Sequence, residues 1–513
     1  MKEPQYANYP LTLFDGMCQD AGVVTGWFVE GLLDLKKVDN ALNRLVMKWP
    51  MLAGRLERTG VCFLLFCSRD LTFIFVRAQT KLGLRVRVPL GPLPPTYVSY
   101  SLTSRDSEKP ITDYVQLPLP MSSEVLPAAL FMDPTAPHNP HHWTDKDIPL
   151  MYWHLTYFKA KGFEYTCIGV TFPHGLFDGM GIAAVIHALE AESLGRAWSI
   201  PPSLEPGINK NKMQSFIDAT KNKMQEEGTP LPVDYRATSI IGLWFIVTFL
   251  WWHFWQKVWH KAQSRMILIP PHAYEKLVRD AREAMTREGK TDVRLSTGDV
   301  ITAWAYKACL FFSFLAEINE FISQTIYSKE TSPNRLVQLS NMASFRMFSD
   351  AGLADYAHNC FIPIGYPIFT VARLKSTPLH HLAYKLAKAR SELSLGHAVQ
   401  VYKLLQESTK PSRRFKAVMP YDTRADETMV VSNMSIARIV DINWTGLGGK
   451  RTVCRYKTML SESPLLISNI VTIAGRLGDG HTVLDVVLNQ KRRQLLEMEL
   501  ERLIVDAQSE AKA

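Results

Sequence analysis

The stretch from Tyr165 to Glu190, YTCIGVTFPHGLFDGMGIAAVIHALE, constrains the fold most. Its first part is apolar and rich in aromatic and β-branched residues, the composition of a buried strand. Pro173 closes that run, because proline has no N–H for a sheet ladder. Ile182, Val185, Ile186 and Leu189 then recur at i, i+3, i+4, i+7, which is one face of an amphipathic helix. His174 and Asp178 therefore fall in a strand–turn–helix, with Gly175, Gly179 and Gly181 keeping Cβ atoms out of the turn. A histidine held there is suited to accept a proton from a hydroxyl, because its ordinary pKa, about 6.5, lies near neutral pH. A purely structural reading stands beside it, in which His174 is a satisfied turn residue and Asp178 a helix N-cap.

The His174-x-x-x-Asp178-Gly179 pattern resembles the HxxxD motif of the BAHD acyltransferases, which move acyl groups from coenzyme A (CoA) to alcohols or amines. Where related enzymes often carry a second histidine, this chain has Pro173. The resemblance extends to pattern level from about residue 10 to 500. A helix through Val38, Leu42, Leu45 and Trp49, stopped by Pro50, leads into Met51-Leu52-Ala53-Gly54-Arg55-Leu56. Leu13-Phe14-Asp15 is similar to the family's opening segment at the acceptor pocket. Ser296 to Asp299 opens a helix, and Tyr356-Ala357-His358-Asn359 resembles a Y-x-G-N element with His358 in place of the glycine. Asp441 and Trp444 match two positions of the D-F-G-W-G motif, whereas Ile442, Asn443 and Thr445 do not. These departures resemble the fungal secondary-metabolite branch.

The 513 residues allow two or three domains, and 47% hydrophobic with 21% charged residues is ordinary globular composition. A net charge of +9 favours anionic partners, but no zinc-finger spacing, RNP motif or dense basic run points to nucleic acid. Seven cysteines without a CxxC read as reduced, intracellular thiols. The N-terminus lacks the apolar run of a signal peptide.

Along the chain, Val61 to Phe66, Tyr152 to Tyr157, Ser264 to Pro270, Leu336 to Arg346, Met429 to Val440 and His481 to Leu488 read as strands. Pro271 to Thr286, Leu379 to Leu395 and Gln490 to Ile504 read as helices. Residues 100–149 read as loop, and His138, His141 and His142 within them as solvated histidines, with no metal expected. Ser239 to Trp259 is the unusual piece. No charge occurs from Ser239 to Trp255, five tryptophans crowd it, and Lys257, Lys261 and Arg265 follow. It reads as a helix on a membrane surface, with a core helix and a true span as the other possibilities.

The resemblance implies an α/β, two-domain fold like chloramphenicol acetyltransferase, with mixed sheets and a solvent channel between the domains. The expected boundaries are an N-terminal domain over 1–230, an apolar crossover over 231–262, and a C-terminal domain over 263–513. It implies an acyl-CoA-dependent O-acyltransferase, with an acetyl group as the expected cargo and a lipophilic alcohol such as a terpenoid or meroterpenoid as acceptor. Acyl-CoA is co-substrate, and no permanently bound cofactor is expected. His174 is then the general base and Asp178 an orienting residue. Trp444 is the first oxyanion donor, ahead of Ser432 or Asn433. Ser432, Asn433, Arg413 and Arg414 would meet the cofactor, while Gly179 and an Asp441–Arg346 pair shape the site. A carrier-bound acyl donor, or an inactive binding protein of the same fold, are the alternatives. A monomer at the cytoplasmic face of an intracellular membrane, such as the endoplasmic reticulum, or in the cytoplasm is the expected state.

Overall fold

The computed structural model describes residues 5–59, 62–63, 78–79, 83–201, 211–232, 235, 237–310, 332–348, 353–410, 417–460 and 467–512. Two large sheets dominate. One runs, by strand, Thr452–Leu460, Gly22–Glu30, Phe163–Pro173, Tyr152–Ala160, Ser101–Asp106. Its pairs are antiparallel except the last, which is parallel. The other runs Phe361–Pro363, Leu336–Ser344, Glu427–Asn433, Ile470–Arg476, Thr482–Leu488, Gln263–Ile269, Ser122–Glu124. There the Glu427–Asn433 strand is parallel to both neighbours, and the remaining pairs are antiparallel. Both sheets are mixed, and helices cover them in an α/β arrangement.

Each sheet borrows a strand from the other half of the chain. Thr452–Leu460 lies beside Gly22–Glu30, and Ser122–Glu124 beside Arg265–Ile267. The two halves are thus joined by main-chain hydrogen bonds as well as by side-chain packing.

The apolar pattern located the elements around His174 but not the strands Gly22–Glu30, Thr452–Leu460 and Ile470–Arg476. The strand pair before His174 forms as Tyr152–Ala160 and Phe163–Pro173, and the helix after it as Gly179–Ser193. Gly169 sits in that strand because a Cβ there would lie 2.1 Å from the Phe131 carbonyl oxygen. Phe131 in turn stacks on Tyr456 of the bridging strand, with ring centroids 4.5 Å apart.

Several expectations are corrected. Ser101–Asp106 is an edge strand, and its polar sequence hid it because an edge strand needs no apolar face on both sides. The segment holding His141 and Trp143 is not solvated: Trp143 is fully buried, and His141 is buried with Nε2 3.4 Å from Asp20. The expected strand from Met429 ends at Asn433, where a 3₁₀ turn over Ser435–Ala437 and a left-handed Arg438 redirect the chain. A separate helix over Leu395–Ser408 follows Leu379–Ser391, a break that continuous helical spacing concealed. The strand expected over Val61–Phe66 is described only at Cys62–Phe63.

Glu427 anchors the second sheet. It is 7% exposed, pairs with Arg335 at 3.3 Å and with Arg492, and accepts from Asn469. Its cationic partners hold the carboxyl below the usual range despite burial. Removing one member of a buried ion network leaves the others uncompensated, at about 3–5 kcal/mol. Glu427→Gln should lower the unfolding free energy by roughly that amount, measured by denaturant titration; a change under 1 kcal/mol would contradict this placement.

Candidate active site

His174 follows the last strand residue, and its N–H donates to the Ala21 carbonyl at 2.9 Å. Its ring lines a cavity of about 200 Å³. Val23, Thr25, Phe172 and Gly179 form one side of that cavity; Met342, Phe361, Ser432 and Asn433 form another. The site therefore opens where the two sheets meet. Nδ1 of His174 is buried without a well-directed partner, although the backbone at His174 and Phe177 lies close enough to favour its proton. Desolvation is the largest influence on the ring and lowers its pKa, and the nearby Lys457 charge lowers it further; Asp178 acts against both. The imidazole is thus neutral at neutral pH, the form that accepts a proton.

The turn after His174 is clamped by a segment from the other half of the chain. Asp178 caps the helix Gly179–Ser193 by accepting from Met180 N–H at 3.0 Å and Gly181 N–H at 2.9 Å. The same carboxylate receives Arg346 through Nη1 at 2.8 Å and Nη2 at 3.0 Å, and Cys360 N–H at 3.1 Å. The cap reading and the orienting reading of Asp178 therefore describe one arrangement. Arg346 also donates to the carbonyls of Tyr356 at 2.7 Å and His358 at 2.5 Å. His358 Nδ1 donates to the Leu176 carbonyl at 2.9 Å, and its ring stacks on Phe177.

Asn359 Nδ2 reaches the His174 carbonyl at 2.9 Å and Asp15 at 3.0 Å. Asp15 is fully buried and also accepts from Asn359 N–H and Thr12, so it holds Asn359 in place and does not line the cavity. At Gly181 a Cβ would lie 1.8 Å from the Ala357 carbonyl oxygen, so glycine lets the helix start meet this clamp.

The sequence expectations divide clearly. His174, Asp178, Gly179, Ser432 and Asn433 come together at the cavity. Asn433 Oδ1 is committed to Ser435, from N–H at 3.1 Å and Oγ at 2.7 Å. Trp444 does not reach the cavity. It is 1% exposed, its Nε1–H is given to Thr452 Oγ1 at 3.1 Å, and its ring packs on Trp27, so it is a core residue and not an oxyanion donor. The Asp441–Arg346 pair is also absent, because Arg346 is spent on Asp178 and its neighbouring carbonyls. Asp441 is exposed and lies beside Arg438 and Arg476 in a second cleft, which also contains Thr297, Gly298 and Ser435. Arg413 and Arg414 lie outside the described residues.

Sequence reading missed Arg455 and Lys457 on the bridging strand, and Thr25 opposite Lys457. Nothing local marks a charged pair in a strand as cavity-facing. Among the described residues one group has metal-ligand geometry, Glu288 with His380 and His381. It lies at the surface, and Lys290 sits on the same carboxylate at 2.8 Å.

No family model matches the chain. It is 24% identical over 313 residues to the O-acyltransferase pboC of Aspergillus ustus, covering 61% of this chain and 59% of that one. It is 23% identical over 308 residues to the O-acetyltransferase PaAT-2 of Phomopsis amygdali, covering 58% and 57%. The matched region thus spans less than two thirds of each relative. The crystal structure of F. graminearum TRI101 complexed with coenzyme A and deoxynivalenol superimposes with a TM-score of 0.61. That superposition has 13% identity and covers 96% of this chain and 97% of that one. The fold is therefore that of TRI101, and the sequence relatives are acyltransferases. The superposition covers nearly the whole of both chains and so includes both sheets.

The imidazole environment has a measurable consequence. Titration of His174 by NMR of the labelled ring should give a pKa below 6.5, and Lys457→Met should raise it, because removing a nearby positive charge favours the protonated ring. A wild-type value above 6.5 would show that the ring is not desolvated as placed.

Proposed function

We propose that the protein transfers an acyl group, with acetyl as the simplest case, from acyl-CoA to a hydroxyl of a small lipophilic metabolite. The observation that carries this is the neutral, clamped His174 opening into the cavity between the sheets. His174 accepts the hydroxyl proton as the oxygen attacks the thioester carbonyl. A tetrahedral oxyanion forms, and its collapse breaks the C–S bond. The imidazolium returns the proton to the thiolate, so no covalent acyl-enzyme is needed. Asp178 positions the turn and stays clear of the proton transfer. With Trp444 in the core, Ser432 and Asn433 remain as cavity-lining candidates for a donor to the oxyanion.

For the phosphates of CoA, the second cleft is the natural place. Arg438 and Arg476 lie in it, and it adjoins the reaction cavity through Gly298, Ser435 and Asn433. Most of the cavity wall near His174 is apolar, including Val23, Phe172, Phe177, Ile182, Met342 and Phe361, which suits a terpenoid-like acceptor. His174→Ala should cut transfer from acetyl-CoA to such an alcohol by about 10²–10⁴-fold, the usual worth of a general base, read by mass shift of the product. Turnover within threefold of wild type would reject the assignment.

The helix Leu243–Val258 supports a membrane-surface role. Among the described residues no helix is long and apolar enough to cross a membrane. This one is inverted: its buried residues are polar, and its exposed ones are apolar apart from Thr248 and Lys257. His253 Nδ1 accepts from Ser468 N–H at 3.0 Å, and Gln256 Oε1 accepts from Asn489 Nδ2 at 2.9 Å. Outward, Trp244 is 78% and Trp251 60% exposed, with Leu243, Val247, Phe254 and Val258 beside them. Tryptophans with Lys257 and Lys261 at the end of the helix match the headgroup zone of an anionic bilayer on an intracellular membrane, where a lipophilic acceptor would also partition. Replacing Trp244, Trp251 and Phe254 by serine should reduce co-sedimentation with phosphatidylserine-containing vesicles at least fivefold, on the order of 1 kcal/mol in partitioning. Transfer to a water-soluble alcohol should be unaffected. Unchanged sedimentation would remove the membrane role.

A further inference from the structure

The cavity beside His174 holds more positive charge than its protein walls neutralise. Arg455 and Lys457 lie two residues apart on the strand Thr452–Leu460, so both side chains leave the same face, with Cα atoms about 6–7 Å apart. Both line the cavity with His174. Arg455 is 4% exposed; its Nε and Nη2 donate to Thr25 Oγ1 at 3.3 and 3.1 Å, and its Nη1 is buried with no hydrogen-bond partner among the described residues. Asp485, on the neighbouring sheet, is the acid whose charge acts on both cations. Yet among the described residues it forms no ion pair with either, and its Oδ2 is buried without a partner. Desolvation brings Lys457 down to about 8, which still leaves it charged at neutral pH.

A pair of cations kept for structure alone would be expected in contact with its carboxylate, because an unpaired buried charge is costly. Both side chains instead line the volume where substrates react, with the Arg455 Nη1 just beneath its wall. We propose that Arg455 and Lys457 form a subsite for a carboxylate that one of the two substrates carries in addition to its reacting group. Two charge-assisted hydrogen bonds would hold it. This rests on the acyl-transfer reading and names its substrate class: a hydroxy acid as acceptor, or a dicarboxylic acyl-CoA as donor. The bonds made and broken are those of ordinary acyl transfer. On the acyl-transfer reading the CoA phosphates do not compete for the subsite, since Arg438 and Arg476 in the second cleft would serve them.

The first arm reads binding without turnover, by calorimetry with 10-hydroxydecanoic acid against its methyl ester. The second compares malonyl-CoA with acetyl-CoA on methyl 10-hydroxydecanoate. A tenfold preference for the acid, or for malonyl-CoA, is expected and identifies which substrate bears the carboxylate. Arg455→Met and Lys457→Met should each erase that preference with the neutral partner's affinity unchanged. Lys457→Arg should keep it, which covers the case in which a methionine variant fails to fold. Equal binding of acid and ester, together with equal use of the two donors, overturns the subsite. So does an equal fall in kcat for every substrate pair at constant KM, which would assign Lys457 to the oxyanion. Discrimination between acid and ester with no transfer from either CoA would sink the acyl-transfer reading and leave the subsite standing.

Discussion

The turn from His174 to Asp178 is short and forms few hydrogen bonds of its own, and the site depends on what grips it. Three of the acceptor groups on that turn are engaged from the other half of the chain, by Arg346 and by residues 358–360. Arg346 and Cys360 N–H take the Asp178 carboxylate, His358 takes the Leu176 carbonyl, and Asn359 takes the His174 carbonyl. Asp15, from near the N-terminus, then fixes Asn359. A buried arginine with bidentate carboxylate geometry and two further carbonyl acceptors loses little by desolvation, because each of these donors is directed at an oxygen. The histidine ring can therefore be left with few bonds of its own and a lowered pKa, since its backbone is held by others.

The same logic explains the exchanged strands. A cavity between two lobes changes shape if the lobes move, and side-chain packing alone permits sliding. Thr452–Leu460 pairs along the whole length of Gly22–Glu30, and Ser122–Glu124 pairs into the opposite sheet. Main-chain ladders run in both directions across the junction. The bridging strand also delivers Arg455 and Lys457 to a cavity whose histidine comes from a strand nearly three hundred residues earlier.

The helix Leu243–Val258 reverses the usual relation between polarity and burial. Its inward groups are few, and hydrogen bonds from Ser468 and Asn489 help to specify its docking, while its aromatic surface stays exposed. Burial of such rings in the core would have required partners for their indole N–H groups. Trp444 shows that solution, with its N–H given to Thr452.

From the sequence alone, local regularity was determined. Apolar periodicity fixed the strand before His174 and the helix after it, the glycines marked the turn, and the histidine and aspartate stood out because their chemistry and spacing are local properties. The Trp-rich segment was legible as a helix for the same reason, though which way it faced was not. Tertiary structure decided every relation between distant residues. Spacing cannot say that Arg346 meets Asp178 and not Asp441, that Trp444 turns into the core, that Asn359 holds the histidine's carbonyl, or that Arg455 and Lys457 face the cavity. A side chain's partner depends on strand order and register, and those follow from the packing of the whole chain.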